Sequence, residues 1–155
     1  MNDSVPLLLS DTSRFFRRRF DARARSLGVS RAQWQVLFAL SRNEGINQAG
    51  LAEALDVETI TVGRMVDRLE DAGLVERRAD PADRRAWRLH LTDRARPILD
   101  QLRDVSNEVT AEALAGINDD EQAALAELLT RLRANLCKRG ENDAAPLPTK
   151  MASNN

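Results

Sequence analysis

"TITVGRMVDRLEDAGLVERRADPADRRAWRLHLT", Thr59 to Thr92, contains two different periodicities joined by a glycine. In its first part Val62, Met65, Val66 and Leu69 recur at helical spacing, which predicts a helix with one apolar face that Gly73 ends. On the opposite side Thr61, Arg64 and Arg68 line up at i, i+3 and i+7. After "LVERR" the pattern changes. Residues 80–83, Asp-Pro-Ala-Asp, read as a turn. Beyond it Trp87, Leu89 and Leu91 alternate with Ala86, Arg88 and His90, as on the two faces of a strand. The stretch therefore predicts a helix followed by a β-hairpin, with Trp87, Leu89 and Leu91 anchoring the ribbon to the core. Five arginines (77, 78, 84, 85 and 88) crowd onto that hairpin. Taken alone, it is either an ordinary solvated turn or a shape suited to a polyanion.

Working outward, "QAGLAEAL" (48–55) reads as a short helix with Asn47 as its cap, and "DVE" turns the chain into the helix at Thr59. Upstream, Ser30 and Gln33 form a capping-box pattern. They open a helix through Trp34, Val36, Leu37, Phe38 and Leu40 that is apolar nearly all round and hence central. A first helix runs from Val5 to Leu27 and ends at Gly28. Downstream, Thr92 is expected to cap a long helix reaching about Ala115, with Pro97 near its start where proline costs least. Asn118 and Glu121 form a second capping pair, opening a helix that carries Leu125, Leu128, Leu129, Leu132 and Leu136. From Gly140 the polar, proline-containing sequence reads as a disordered tail. The expected fold is mainly α with a small β-wing: a dimerisation helix at 5–28, a winged helix-turn-helix unit at 29–92, dimerisation helices at 93–139 and a tail at 140–155. Terminal helices with apolar stripes call for a partner, and a second copy of the chain is the simplest one.

Composition bounds the function. Of 155 residues, 43% are hydrophobic and 30% charged, which suits one globular domain, and the net charge is only −1. The charge is unevenly spread. Residues 14–31 hold seven arginines against one acid, residues 76–96 seven arginines against four acids, and residues 98–143 ten acids against five bases. A near-neutral chain can thus present a local positive surface to phosphates. With one cysteine, Cys137, there is no intramolecular disulfide or cysteine-rich zinc site. No signal-peptide pattern or membrane-length apolar run is evident, so a cytoplasmic location is expected.

The central unit has the chemistry of duplex recognition. A helix fits the major groove, arginine can donate two hydrogen bonds to guanine, and threonine can reach a phosphate or a thymine methyl. Thr59, Ile60, Thr61, Arg64 and Arg68 are the candidates there. Ile60 lies near the polar stripe, where burial gives it no purpose and contact with a base methyl or sugar would. On the hairpin, Arg84, Arg85 and Arg88 are positioned for a groove or phosphates, with Asp83 expected to steady an arginine at the tip.

Leu51 to Ala95 resembles the winged helix-turn-helix core of the multiple antibiotic resistance regulator (MarR) family, its SlyA-like branch in particular. "VDRLEDAGLVER" and "DPADRRAWRLHLT" are the most specific portions, and the helix order extends the resemblance over about residues 6–138. It implies an obligate, intertwined homodimer that reads palindromic double-stranded DNA and represses transcription. By the same resemblance Arg64 is a recognition-helix contact, Asp83 and Arg85 form a wing-tip pair, and Arg84 contacts a phosphate or groove. Glu58 departs from the small capping residue common in the family, which leaves Thr59 to take over the cap. Such regulators often bind small aromatic anions, and Phe16, Arg17, Trp34 and Phe38 are the residues that would line an effector cleft. The same aromatic spacing also fits plain core.

Two alternatives stand beside this reading. Cys137, followed by Lys138 and Arg139, could serve a thiol redox sensor, or the winged unit could bind protein instead of DNA. The family's peroxide sensors carry their reactive cysteine near the N-terminus, which this chain lacks. No catalytic constellation, metal-ligand spacing or glycine-rich phosphate loop is present, so neither enzymatic activity nor a cofactor is expected; the lone histidine, His90, falls on a wing strand.

Overall fold

Ser30 sets the first boundary. Its hydroxyl accepts from the Gln33 N–H, and the Gln33 side chain accepts in return from the Ser30 N–H at 2.9 Å. This capping box opens α2 (Arg31–Arg42). The computed structural model describes residues 4–140. Before α2 stands α1 (Val5–Ser26), which Gly28 releases in the left-handed region at φ +74°. After it come α3 (Gln48–Leu55) and α4 (Thr59–Asp71), strands β1 (Val75–Ala79) and β2 (Trp87–Leu91), then α5 (Ala95–Ala113) and α6 (Asp119–Gly140). The expectation for residues 141–155 lies outside the described residues. The chain divides into two compact units at Ala113.

In the first unit α2 is central, as its apolar periphery requires, packing against α1, α3, α4, α5 and β2. Val36, Leu37 and Leu40 are fully buried there. Phe20 and Ala24 of α1 bury with Leu99, Leu102, Val105 and Val109 of α5, while Leu51, Val62, Val66, Leu69, Val75 and Leu89 fill the space beneath the helix-turn-helix. Apolar burial on this scale is the main stabilising term for a small domain.

Between α3 and α4 the turn depends on two local devices. Asn47 caps α3 by accepting from the Gly50 N–H at 2.8 Å, and Asp56 takes the left-handed conformation at φ +53° that ends it. The α4 N-terminus differs from expectation. Glu58 is its N-cap residue without a side-chain hydrogen bond. Instead the Gln48 amide of α3 donates to the Thr59 carbonyl at 3.2 Å and pins the start of α4.

β1 and β2 pair antiparallel, with Val75 opposite Leu91, Arg77 opposite Leu89 and Ala79 opposite Trp87. An isolated bridge, which the sequence does not show, joins the segment before α3 to β2. Gly45 N–H donates to the Leu89 carbonyl, Leu89 N–H donates to the Ile46 carbonyl, and Asn47 bridges Arg88. Thr92 also differs from expectation. Its hydroxyl donates to the Gly73 carbonyl at 2.6 Å, fastening the end of β2 to the α4–β1 turn. Gly73 itself has φ +71°, and a Cβ there would stand 2.7 Å from the Arg94 guanidinium. α5 opens on a backbone turn from the Ala95 N–H to the Thr92 carbonyl.

The second unit contains α6, opened as expected by the reciprocal pair Asn118 and Glu121. Leu125, Leu128, Leu129 and Leu136 are exposed on it.

Candidate nucleic-acid interface

Helix α4 is strongly two-sided. Val62, Val66 and Leu69 are buried, whereas Thr59, Ile60, Thr61, Arg64 and Arg68 are all exposed. Ile60 is 69% exposed, so burial in the chain does not account for it. Thr61, Arg64 and Arg68 share one notch with Ser30, Ala32 and Gln33 from the opening of α2. Gly63 leaves room for the Gln48 side chain of α3, since a Cβ there would meet its amide nitrogen at 2.9 Å.

Arginine pairing separates two classes. Arg77 is anchored to Asp67 and Glu70 of α4, and Arg78 to Glu76. Burial alone would lower the Arg77 pKa, but hydrogen bonds and charge from Asp67 and Glu70 outweigh it and raise the value above its ordinary one. Arg88, expected to face DNA, is tied to the fold. Its Nε donates to Asp80 at 2.8 Å and its Nη1 to the Gly45 carbonyl at 3.0 Å, clamping the wing to the segment before α3. The Ala82 backbone N–H is the chief cause holding the Asp80 carboxyl below its ordinary pKa, with Arg88 and the Asp83 N–H adding to it against the smaller opposing effect of burial. By contrast, the guanidinium groups of Arg64, Arg68, Arg84 and Arg85 have no hydrogen-bonding or ionic partner among the described residues. They are the cations left free on the recognition helix and wing tip.

Asp83 acts through the backbone. Its carboxylate accepts from the Arg85 N–H at 2.9 Å, and its carbonyl accepts from the Ala86 N–H at 3.0 Å. This Asx turn shapes the tip and leaves both neighbouring guanidinium groups open. Trp87 departs from the expected anchor: it is 53% exposed, while Leu89 is buried and Leu91 half-buried. His90 is half-buried, with Nδ1 3.6 Å from the Glu44 carboxylate.

The four effector candidates do not converge on one cleft. Trp34 and Phe38 join Phe20 in an aromatic cluster, with the Phe20 and Trp34 ring centroids 4.7 Å apart. The Trp34 indole N–H donates to Asp21 at 2.9 Å. Phe16 lies apart on a groove with Phe15, Arg19 and Val109, and Arg17 is exposed, donating to Ser13. Cys137 is exposed on α6. Among the described residues no group of three or more His, Cys, Asp or Glu side chains is placed to hold a metal, and no helix is long and apolar enough to cross a membrane.

A helix-turn-helix with free arginines, followed by a clamped β-ribbon with more at its tip, defines a winged-helix DNA-binding protein. Comparison with known proteins gives the family. Residues 27–86 match the MarR family. The chain is 38% identical to the transcriptional regulator PA3341, whose crystal structure it matches with a TM-score of 0.79 over 88% of this chain and all of that one. Wild-type MarR from E. coli in its apo form is 26% identical, with a TM-score of 0.76 over 85% of this chain and 98% of that one. A cysteine-to-serine mutant of the E. coli protein in complex with operator DNA is 27% identical, with a TM-score of 0.71 over 83% of this chain and 94% of that one. The chain belongs to the MarR family of winged-helix, DNA-binding transcriptional regulators.

Proposed function

We propose that this regulator works as a homodimer that represses from palindromic operators and is released by a small aromatic or anionic ligand. Residues 29–92 read the DNA, and helices within 5–28 and 93–139 join the two copies. The observation that carries the reading is the sorting of arginines, with Arg64, Arg68, Arg84 and Arg85 free while their neighbours are spent on the fold. On α4, Arg64 donates to a base edge, with Thr59, Ile60, Thr61 and Arg68 beside it on bases or phosphates. On the wing, Arg84 and Arg85 enter the minor groove or grip the backbone, supported by Asp83.

Dimerisation is supported by apolar surface on the terminal helices. Val5, Leu7, Leu8 and Phe15 of α1 are half or more exposed, as are Leu128 and Leu136 of α6. Such surface is costly to leave in water. For the effector, the groove at Phe16 offers apolar walls and the Arg19 guanidinium, which already pairs with Glu112 at 3.3 Å.

Selection of bound genomic fragments, followed by sedimentation of the complex, tests this reading. Fragments sharing an inverted repeat with half-site centres about one helical turn apart, each bound by two chains, are expected. Single half-sites bound by one chain would contradict it.

A further inference from the structure

Trp87 is a large side chain that the fold leaves half exposed. It stands at the tip-proximal end of β2, two residues from Arg85, opposite Ala79 across the ribbon. Ala79 is small and exposed, so the cross-strand partner leaves the indole uncovered. Among the described residues Trp87 enters no aromatic pair and its indole N–H has no acceptor. Strand alternation places it on the same face as Leu89 and Arg77, which meet the core and α4, but beyond the point where that core ends. A half-exposed indole within three residues of two unpaired arginines combines an apolar plate with positive charge. One edge of a DNA minor groove has the complementary chemistry, with an apolar deoxyribose face flanked by phosphates.

We propose that Trp87 is a DNA contact of the wing, packing its indole against a deoxyribose at the minor-groove edge while Arg84 and Arg85 take the flanking phosphates or groove. The inference rests on the DNA-binding reading above and adds a sequence-independent, uncharged contribution to it. It also gives the wing a register: with the indole seated on a sugar, the tip arginines on the preceding turn are held against adjacent phosphates.

Binding of wild type, Trp87→Ala and Trp87→Phe to operator and unrelated duplexes is measured over a range of salt, with acrylamide quenching of tryptophan fluorescence in parallel. Trp87→Ala should weaken binding to both duplexes by about tenfold for each wing engaged, the effect of losing roughly 55 Å² of indole contact at about 25 cal/mol per Å². Trp87→Phe should restore most of the loss. The dependence of log K on log salt should keep its slope, because no charge has been removed. In wild type, DNA should protect the quencher-accessible emission, which Trp87→Ala identifies by its disappearance. Unchanged affinity with unprotected emission overturns the proposal while DNA binding stands. A slope reduced as for an arginine variant also overturns it, because Trp87 would then only support the arginines. If wild type binds no duplex at all, both this proposal and the reading beneath it fall.

Discussion

The carboxylate of Asp83 accepts from the backbone N–H of Arg85 at 2.9 Å, and not from its guanidinium. The distinction matters because a backbone donor needs only an acceptor oxygen, whereas a guanidinium partner would need a negative charge. Asp83→Asn should therefore keep the tip and bind operator as wild type does. Asp83→Ala should lose about fivefold in affinity per half-site, equivalent to one hydrogen bond of about 1 kcal/mol in each copy. Equal loss in both variants, measured by fluorescence anisotropy, would return Asp83 to a side-chain ion pair.

Arg88 is spent on Asp80 and the Gly45 carbonyl, so its removal should appear first in stability. Because these groups are partly solvated, Arg88→Ala should cost about 1 kcal/mol in urea unfolding. The salt slope of DNA binding should be that of wild type. A slope lowered by about two, one contact in each copy, without destabilisation would put Arg88 on a phosphate.

Arg64 is exposed and unpaired on the polar face of α4, where a base contact would make it specific rather than merely adhesive. Arg64→Ala should relax preference at one base pair per half-site and cost about 1–3 kcal/mol there. Binding profiles across an operator library decide the matter. A uniform loss over all sequences would demote Arg64 to a phosphate contact.

Asp21 joins α1 to α2. Burial would raise its pKa, but hydrogen bonds from Arg31 and Trp34, with charge from Arg31 and Arg25, outweigh that and lower it below the ordinary 3.8. Because the folded value is depressed, the contribution to stability is fully present above pH 3.8 and is lost as pH falls through the folded pKa. Asp21→Asn should thus be less stable than wild type at neutral pH, with the gap closing in acid. Urea midpoints of both proteins at several pH values test this, and a gap that widens in acid would contradict it.

Much of this architecture was legible because it is written in local hydrogen bonds. Ser30 with Gln33, Asn118 with Glu121, and Asn47 before "QAGLAEAL" each name a helix start within four residues. The helix-turn-helix and the hairpin were equally plain from periodicity. What stayed hidden depends on distant parts of the chain. Alternation assigns Trp87 to the inner face of the ribbon but cannot say that the core stops at Leu89. Arg88 looked free because Gly45 lies far away in sequence and a single bridge at Asn47 shows no alternation. The pairing of Arg77 with Asp67 and Glu70 likewise needs α4 and β1 brought together. Trp34 and Phe38 share helical spacing with any core pair, and only Phe20 and Asp21 show what surrounds them.

The central claim is that the free arginines, and not the paired ones, meet DNA. The most direct measurement is the salt dependence of operator binding for Arg84→Ala, Arg85→Ala, Arg78→Ala and wild type. Each wing-tip variant removes one contact from each copy of the dimer and should reduce the slope of log K against log salt by about two, while Arg78→Ala leaves it unchanged. Equal slopes in all four proteins, or a reduction confined to Arg78→Ala, would contradict the claim.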